Sequence, residues 1–198
     1  TYDEQGRVKT LKTWQDFAGN SGMAVTTWSY NPQRGWLDNK RYADDQGPTY
    51  TYWPSGRLKT RVWARTPTIT TTYTYNHAGD LASTDYDDTT PDVTLTYDRL
   101  GRLHSKADGT GECTYAYEGL TALIATETHS TGLLAGQSLT RTYDSSLLLR
   151  GLSGASVPSV TYDYDAASRL DTVTVSRRSE LTQFQAFRFD PPRVKERA

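Results

Sequence analysis

Cysteine occurs once, at Cys113, and methionine once, at Met23. A single thiol excludes an internal disulfide framework and any zinc cluster built on several cysteines. No apolar run approaches the ~18 residues that a membrane-spanning helix requires. Charge of one sign is also missing. Twenty-two basic residues face 23 acidic ones for a net charge of −1, so no basic footprint for nucleic acid is expected. Aliphatic side chains and Phe together make up roughly one residue in six, a scarcity that can accompany disorder. Disorder by that route also needs few aromatics and a large net charge, and neither holds. Aromatics make up 12% of the chain, with 14 tyrosines. Tyr and the abundant Thr suit half-buried pleated surfaces, so the composition predicts an extended all-β protein. No leader pattern or initiating Met opens the chain, which starts mid-motif at Thr1-Tyr2-Asp3 and reads as a piece of something longer.

What is present is repetition. Tyr2, Tyr30, Tyr52, Tyr75, Tyr97, Tyr117, Tyr143 and Tyr164 each precede a turn-like run, at spacings of 20 to 28 residues. A period in this range marks a repeat architecture, with unequal units absorbing insertions in their loops. In Val93-Thr94-Leu95-Thr96-Tyr97, apolar side chains alternate with threonines, as in a strand with one packed face. Val160, Tyr162 and Tyr164 likewise share one face, and Thr161 and Asp163 the other. Asp98-Arg99-Leu100-Gly101 then supplies an Asx-type reversal with Gly at a positive-φ position, and Arg102-Leu103 opens the return strand. A second set of turns is expected at ADDQGP (43–48), DDTTPD (87–92), ADGTGE (107–112) and LSGASVP (152–158). The stretch GLTALIA (119–125) occupies a return-strand position and is read as a strand. Strand, turn, strand, turn at ordinary lengths consumes about 22 residues, so the chain is expected to zigzag into one antiparallel sheet.

The copies YDEQGRV (2–8), YWPSGRL (52–58) and YDRLGRL (97–103) resemble the YD repeat of the Rhs family. YNPQRGWL (30–37) reads as a variant of the same unit. YNHAGDL (75–81) loses Arg, YDYDAASRL (162–170) loses Gly, and YDSSLLLRGL (143–152) looks degenerate. The resemblance covers residues 1–176, about eight units. It implies a curved antiparallel sheet of consecutive hairpins, part of a spiralling β-shell that encloses a toxic C-terminal domain in bacterial members. It therefore implies a structural, encapsulating role, with the rest of a larger Rhs-type chain and its toxin domain as partners and a secreted or cell-surface parent. Residues 177–198 carry no repeat unit and form a separate tail, read either as a terminal strand or as truncation-derived sequence. Asp190-Pro191 departs from the family's Asp-Pro-x-Gly-Leu self-cleavage motif directly after the Pro, so autoproteolysis is not expected.

Chemistry outside the repeat is sparse. Asp44, Asp45, Asp85, Asp87, Asp88, Asp92, Asp163 and Asp165 fall in or beside turns, where Asp has a conformational role. None has the spacing of a calcium loop. His77 and His129 are read as turn residues and His104 as a return-strand residue, with no HExxH spacing and no G-x-S-x-G elbow; GLSGA (151–155) and GNSG (19–22) read as turns. No catalytic residue, metal or cofactor is assigned. A hydrolase on the exposed sheet or in a shell interior is the third reading. The second is a carbohydrate or cell-surface binding module. All five tryptophans lie in the first 63 residues, and Trp28, Trp36, Trp53, Arg57, Arg61 and Trp63 make an aromatic-basic candidate site for a glycan or an anionic ligand. The competing reading packs these rings and Arg stems on each other as cross-strand pairs. A sheet built from so few hairpins is also expected to expose strand edges, a route to oligomers.

Overall fold

A computed structural model of the chain describes residues 1–154 and 157–176 in full, and the backbone of 185–188. The chain divides into two units, Thr1–Leu95 and Thr96–Ala198. Unit 1 contains β1 (Thr10–Thr13), β2 (Ala24–Tyr30), β3 (Leu37–Arg41), β4 (Thr49–Tyr52), β5 (Leu58–Val62), β6 (Thr70–Tyr75), β7 (Leu81–Tyr86) and the start of β8 (Val93–Tyr97). Unit 2 contains the end of β8, then β9 (Leu103–Asp108), β10 (Gly111–Tyr117), β11 (Ile124–His129), β12 (Ser138–Tyr143), β13 (Leu149–Gly154), β14 (Ser159–Tyr164), β15 (Leu170–Ser176) and β16 (Gln185–Arg188). Within the units successive strands pair antiparallel, β1 to β8 in the first and β9 to β16 in the second, and among the described residues of each unit strands touch only their ladder neighbours. No helix occurs among the described residues. The protein is all-β, and each unit is built of consecutive antiparallel hairpins.

The scarcity of aliphatic residues now has its structural counterpart. Among the described residues the buried apolar side chains are Ile69 and Pro48, joined by buried Thr71 and Ser105. Most strand residues are half-buried on a single layer, so cohesion comes from ladder hydrogen bonds and cross-strand pairs. One face carries the motif tyrosines. The other carries hydroxyl pairs: Thr1 with Thr10 (2.7 Å), Thr51 with Thr60 (2.6 Å), Thr74 with Ser83 (2.7 Å) and Thr96 with Ser105 (2.7 Å). Each pair flanks a turn and ties the incoming strand to the return strand.

The turns share one device. The register shifts immediately before Tyr30, Tyr52, Tyr75, Tyr117, Tyr143 and Tyr164, so each of these tyrosines sits at a β-bulge. A type I turn closed by a positive-φ residue and a bulge is a common three-residue hairpin solution. Gly56 (φ +86°) and Gly101 (φ +76°) hold that position where the motif is complete. Where it is not, Leu147 (φ +63°) and Ser168 (φ +60°) take the same conformation.

Three local expectations are corrected. Gly119–Leu123 is not strand: Thr121 N–H donates to Glu118 C=O and Glu118 N–H to Leu123 C=O, closing a longer loop before β11 begins at Ile124. Gly151–Gly154 is not a turn but the end of β13, where Gly154 pairs with Leu139 and lies against the Ser138 carbonyl. A glycine read as a chain reverser here allows close backbone approach inside a strand. His129, read as a turn residue, is the last residue of β11. The Asp190-Pro191 pair and the rest of the tail apart from β16 lie outside the described residues.

Candidate functional site

The conspicuous geometry is a lock repeated between successive hairpins. In the hairpin around Asp98, that side chain accepts hydrogen bonds from the N–H groups of Leu100 (2.8 Å) and Arg102 (3.0 Å), while Arg102 Nε donates to its second oxygen (2.7 Å). Asp3 with Arg7 and Asp165 with Arg169 repeat this arrangement. The Asp fixes the turn and the guanidinium at once, and Arg then reaches into the next hairpin. Arg102 Nη1 donates to Gly119 C=O (3.1 Å) and Thr121 C=O (2.6 Å), and its guanidinium lies 4.4 Å from the Tyr117 ring centre. Arg7 does the same to Gly35 C=O (2.9 Å) and Tyr30 (4.2 Å).

The tyrosine returns the contact. Tyr117 donates its hydroxyl to Leu103 C=O at 2.7 Å, the carbonyl that opens the preceding return strand. Tyr30 to Val8, Tyr52 to Leu37, Tyr75 to Leu58, Tyr143 to Ile124 and Tyr164 to Leu149 repeat it at 2.9–3.0 Å. Every letter of Tyr-Asp-x-x-Gly-Arg-Leu thus has a role, and the Leu serves through its backbone. Tyr117→Phe is expected to cost about 1 kcal/mol, the net worth of one hydrogen bond, read as a lowered urea midpoint.

Units that look broken in sequence keep the lock by substitution. In the 143–152 unit, Leu148 stands where Arg is expected, but Arg150 donates to Asp144 Oδ2 (2.9 Å) and stacks 5.2 Å from the Tyr164 ring. In the 75–81 unit Asn76 replaces Asp, and its Oδ1 accepts from Asp80 N–H at 2.9 Å. In the 30–37 unit Trp36 takes the position of Arg and packs on Tyr52 at 5.1 Å.

The lock carboxylates titrate low. For Asp144 the Leu148 N–H is the main cause, with Ser146 N–H and Arg150 adding to it. For Asp165 the Arg169 N–H and then its guanidinium lead. At Asp98, desolvation pushes upward but is outweighed by the Arg102 N–H and guanidinium and the Leu100 N–H. A carboxyl whose folded value lies below its unfolded value stabilises the fold above the unfolded value, near 3.9 for Asp. That contribution is lost as pH falls through the folded value. Urea midpoints are therefore expected to be flat from neutrality to about pH 5 and to drop below about pH 4, with a shallower drop in Asp98→Asn.

The sequence-predicted ligand residues all lie in unit 1, and their rings have cationic neighbours. Lys40 sits 5.4 Å from the Trp28 ring centre, Arg34 4.7 Å from Trp36, Lys59 4.7 Å from Trp53 and Arg61 3.7 Å from Trp63. Trp53 Nε1 donates to Tyr73 C=O and Trp63 Nε1 to Thr71 Oγ1. Arg57 lies 5.7 Å from Tyr75. Of the six, Arg61 and Trp63 stack on each other two residues apart, while Trp28 pairs with Lys40 across β2 and β3.

The acidic clusters hold turns. Asp44, Asp87, Asp88 and Asp92 accept backbone N–H bonds from Gln46, Thr70, Thr90 and Tyr86. His129 faces Cys113 across the ladder, beside Tyr115, whose phenol is pushed up to about 12, first by burial and then by Cys113. Among the described residues no set of three His, Cys, Asp or Glu side chains converges to hold a metal ion.

The chain matches no protein-family profile and no curated protein. Among solved structures it is similar to a chain of the Tc holotoxin pore of Photorhabdus luminescens, solved with a mutant TccC3. The TM-score is 0.61 at 14% identity, over 96% of this chain and 12% of that one. The fold is that of an Rhs/YD-repeat shell. TcdB2-TccC3, alone and with Cdc42, also matches over 94% of this chain at 12% identity, with TM-scores of 0.46 and 0.45. This YD-repeat chain spans only a small fraction of the length of these neighbours, so it compares with a stretch of shell.

Proposed function

We propose that this chain is a stretch of wall in an Rhs-type shell, belonging to a larger protein whose toxin domain the shell encloses. Its work is architectural: it seals and stiffens a surface, and no step of covalent chemistry is assigned to it. The observation that carries this reading is the lock, in which successive hairpins are tied by a tyrosine hydroxyl, joined at Tyr30, Tyr52, Tyr75, Tyr117 and Tyr164 by a side chain stacked on the ring. A catalytic motif would occur once. A contact written into successive hairpins is what a wall requires, because a single loose seam would admit water and protease.

The test uses the chain in its full coding context with the downstream domain attached. Limited proteolysis is expected to spare that domain in the intact protein and to release it when Arg102 and Tyr117 are both replaced by Ala. Equal digestion of the domain in the intact protein and in isolation would refute enclosure.

A further inference from the structure

Strands β2 to β6 contain a single acidic residue, Asp38. It is half-buried on β3 and makes no hydrogen bond or ion pair. Cations are not lacking nearby, but they are committed elsewhere. Lys40 lies against the Trp28 and Tyr42 rings, and Lys59 and Arg61 against Trp53 and Trp63. Arg34 donates to Pro54 C=O (3.0 Å) and covers Trp36.

Asp38 opens onto a hollow of about 490 Å³ walled by Trp36, Tyr50 and Tyr52, with Asn31, Gln33 and Arg34 along it. The cause is local. β3 and β4 share one register pair, Asn39 with Thr49, so their ladder is open from Asp38 and Tyr50 outward, at the end away from the loop that joins them. The turn before β3 is also longer by one residue than the one after β4, running 31–36 against 53–57. The volume lies in the usual range of small-molecule sites, about 300–1,000 Å³.

We propose that this hollow binds an alkylammonium group, the chemistry of a lysine side chain or a free aliphatic amine. An unpaired carboxylate drawn partly out of water is costly, and a guest ammonium would supply the missing partner. The tyrosine rings offer the alkyl stem an apolar wall and the charge a π-face. In the locks ring, cation and carboxylate stand together, as in Tyr117, Arg102 and Asp98; here rings and a carboxylate line one hollow, and its one cation, Arg34, is turned to Pro54 C=O and Trp36.

The test is a titration of the whole chain, followed by amide and side-chain NMR shifts, with n-butylammonium, N-acetyl-lysine methylamide and n-butanol. Both amines are expected to saturate shifts at Asp38, Tyr50 and Tyr52, and the alcohol to leave them in place. Saturation by the lysine derivative alone would also support the proposal and assign the guest to a polypeptide. Asp38→Asn should weaken the amines by about tenfold or more, the worth of a charge-assisted hydrogen bond. Trp63→Ala, which lies outside the hollow, should retain binding. The proposal is overturned if butanol or a neutral saccharide binds as well as the amines, if no probe saturates, or if Asp38→Asn, with its fold intact by circular dichroism, binds them unchanged.

Discussion

Gly111→Ala is expected to be among the most damaging single substitutions in the chain, costing about 3 kcal/mol or more. Gly111 has φ +126°, a region that side chains with a Cβ rarely enter. Space is closed as well. A Cβ there would run into the Thr131 carbonyl group and come within 2.9 Å of Gly132 Cα. The neighbour is backbone, so no rotamer change can relieve it. Gly132, at φ +81°, meets the Thr110 carbonyl in the same way from the other side, so the two glycines hold two chain segments in direct contact. The measurement is thermal unfolding followed by circular dichroism, with a midpoint lowered by on the order of 10 °C or more. Gly101→Ala is the control. Its φ is also positive, at +76°, but nothing lies within 4 Å of the added methyl, so it should cost only the strain of about 1 kcal/mol.

Arg102→Ala is expected to cost about 2–3 kcal/mol, because one side chain serves two hairpins. It removes the pair with Asp98, two hydrogen bonds to the Gly119–Thr121 loop and the stack on Tyr117. Asp98 keeps its turn N–H bonds, so the first turn should survive while the junction with the next hairpin loosens. Hydrogen exchange separates these outcomes: protection should fall at Tyr117–Ile124 more than at Asp98–Leu103. Arg102→Lys should recover little, since an ammonium cannot donate in the planar fork that spans carboxylate, carbonyls and ring. If lysine restored full stability, the contribution would be charge alone and the junction geometry would count for little.

Much of this architecture is legible in the residues themselves. Alternation in Val93–Tyr97 and Ser159–Tyr164 placed the packed faces correctly, and Asp98 to Gly101 stated its turn type outright. The hydroxyl pairs are legible too, in the Thr before Tyr2, Tyr52, Tyr75 and Tyr97 and the Thr or Ser two places after the Val or Leu that closes each of those units. Three things were not legible. The acceptor for each tyrosine is a backbone carbonyl, which carries no letter. The replacement of Arg by Arg150, two positions along, depends on a side chain long enough to reach back to Asp144. Leu147 and Ser168 at positive φ contradict local preference, and only the surrounding turn and bulge hold them there. As for the candidate site, the tryptophans stand out in the sequence by their confinement to the first 63 residues, whereas the unpartnered group is Asp38, an ordinary residue made unusual by what its neighbours are doing.

Because the described strands within each unit touch only the strands beside them, each unit behaves as a one-dimensional material. Its energy is a sum over seams, each hairpin contributing a little of its own and more through its junctions. A lesion such as Arg102→Ala should therefore act like a crack confined to one seam, leaving distant hairpins as protected as before. The corollary concerns size. A globule gains strength from volume, but a strip gains it by length, one junction at a time. For such a chain, lengthening by gene duplication adds stability without any need to redesign a core.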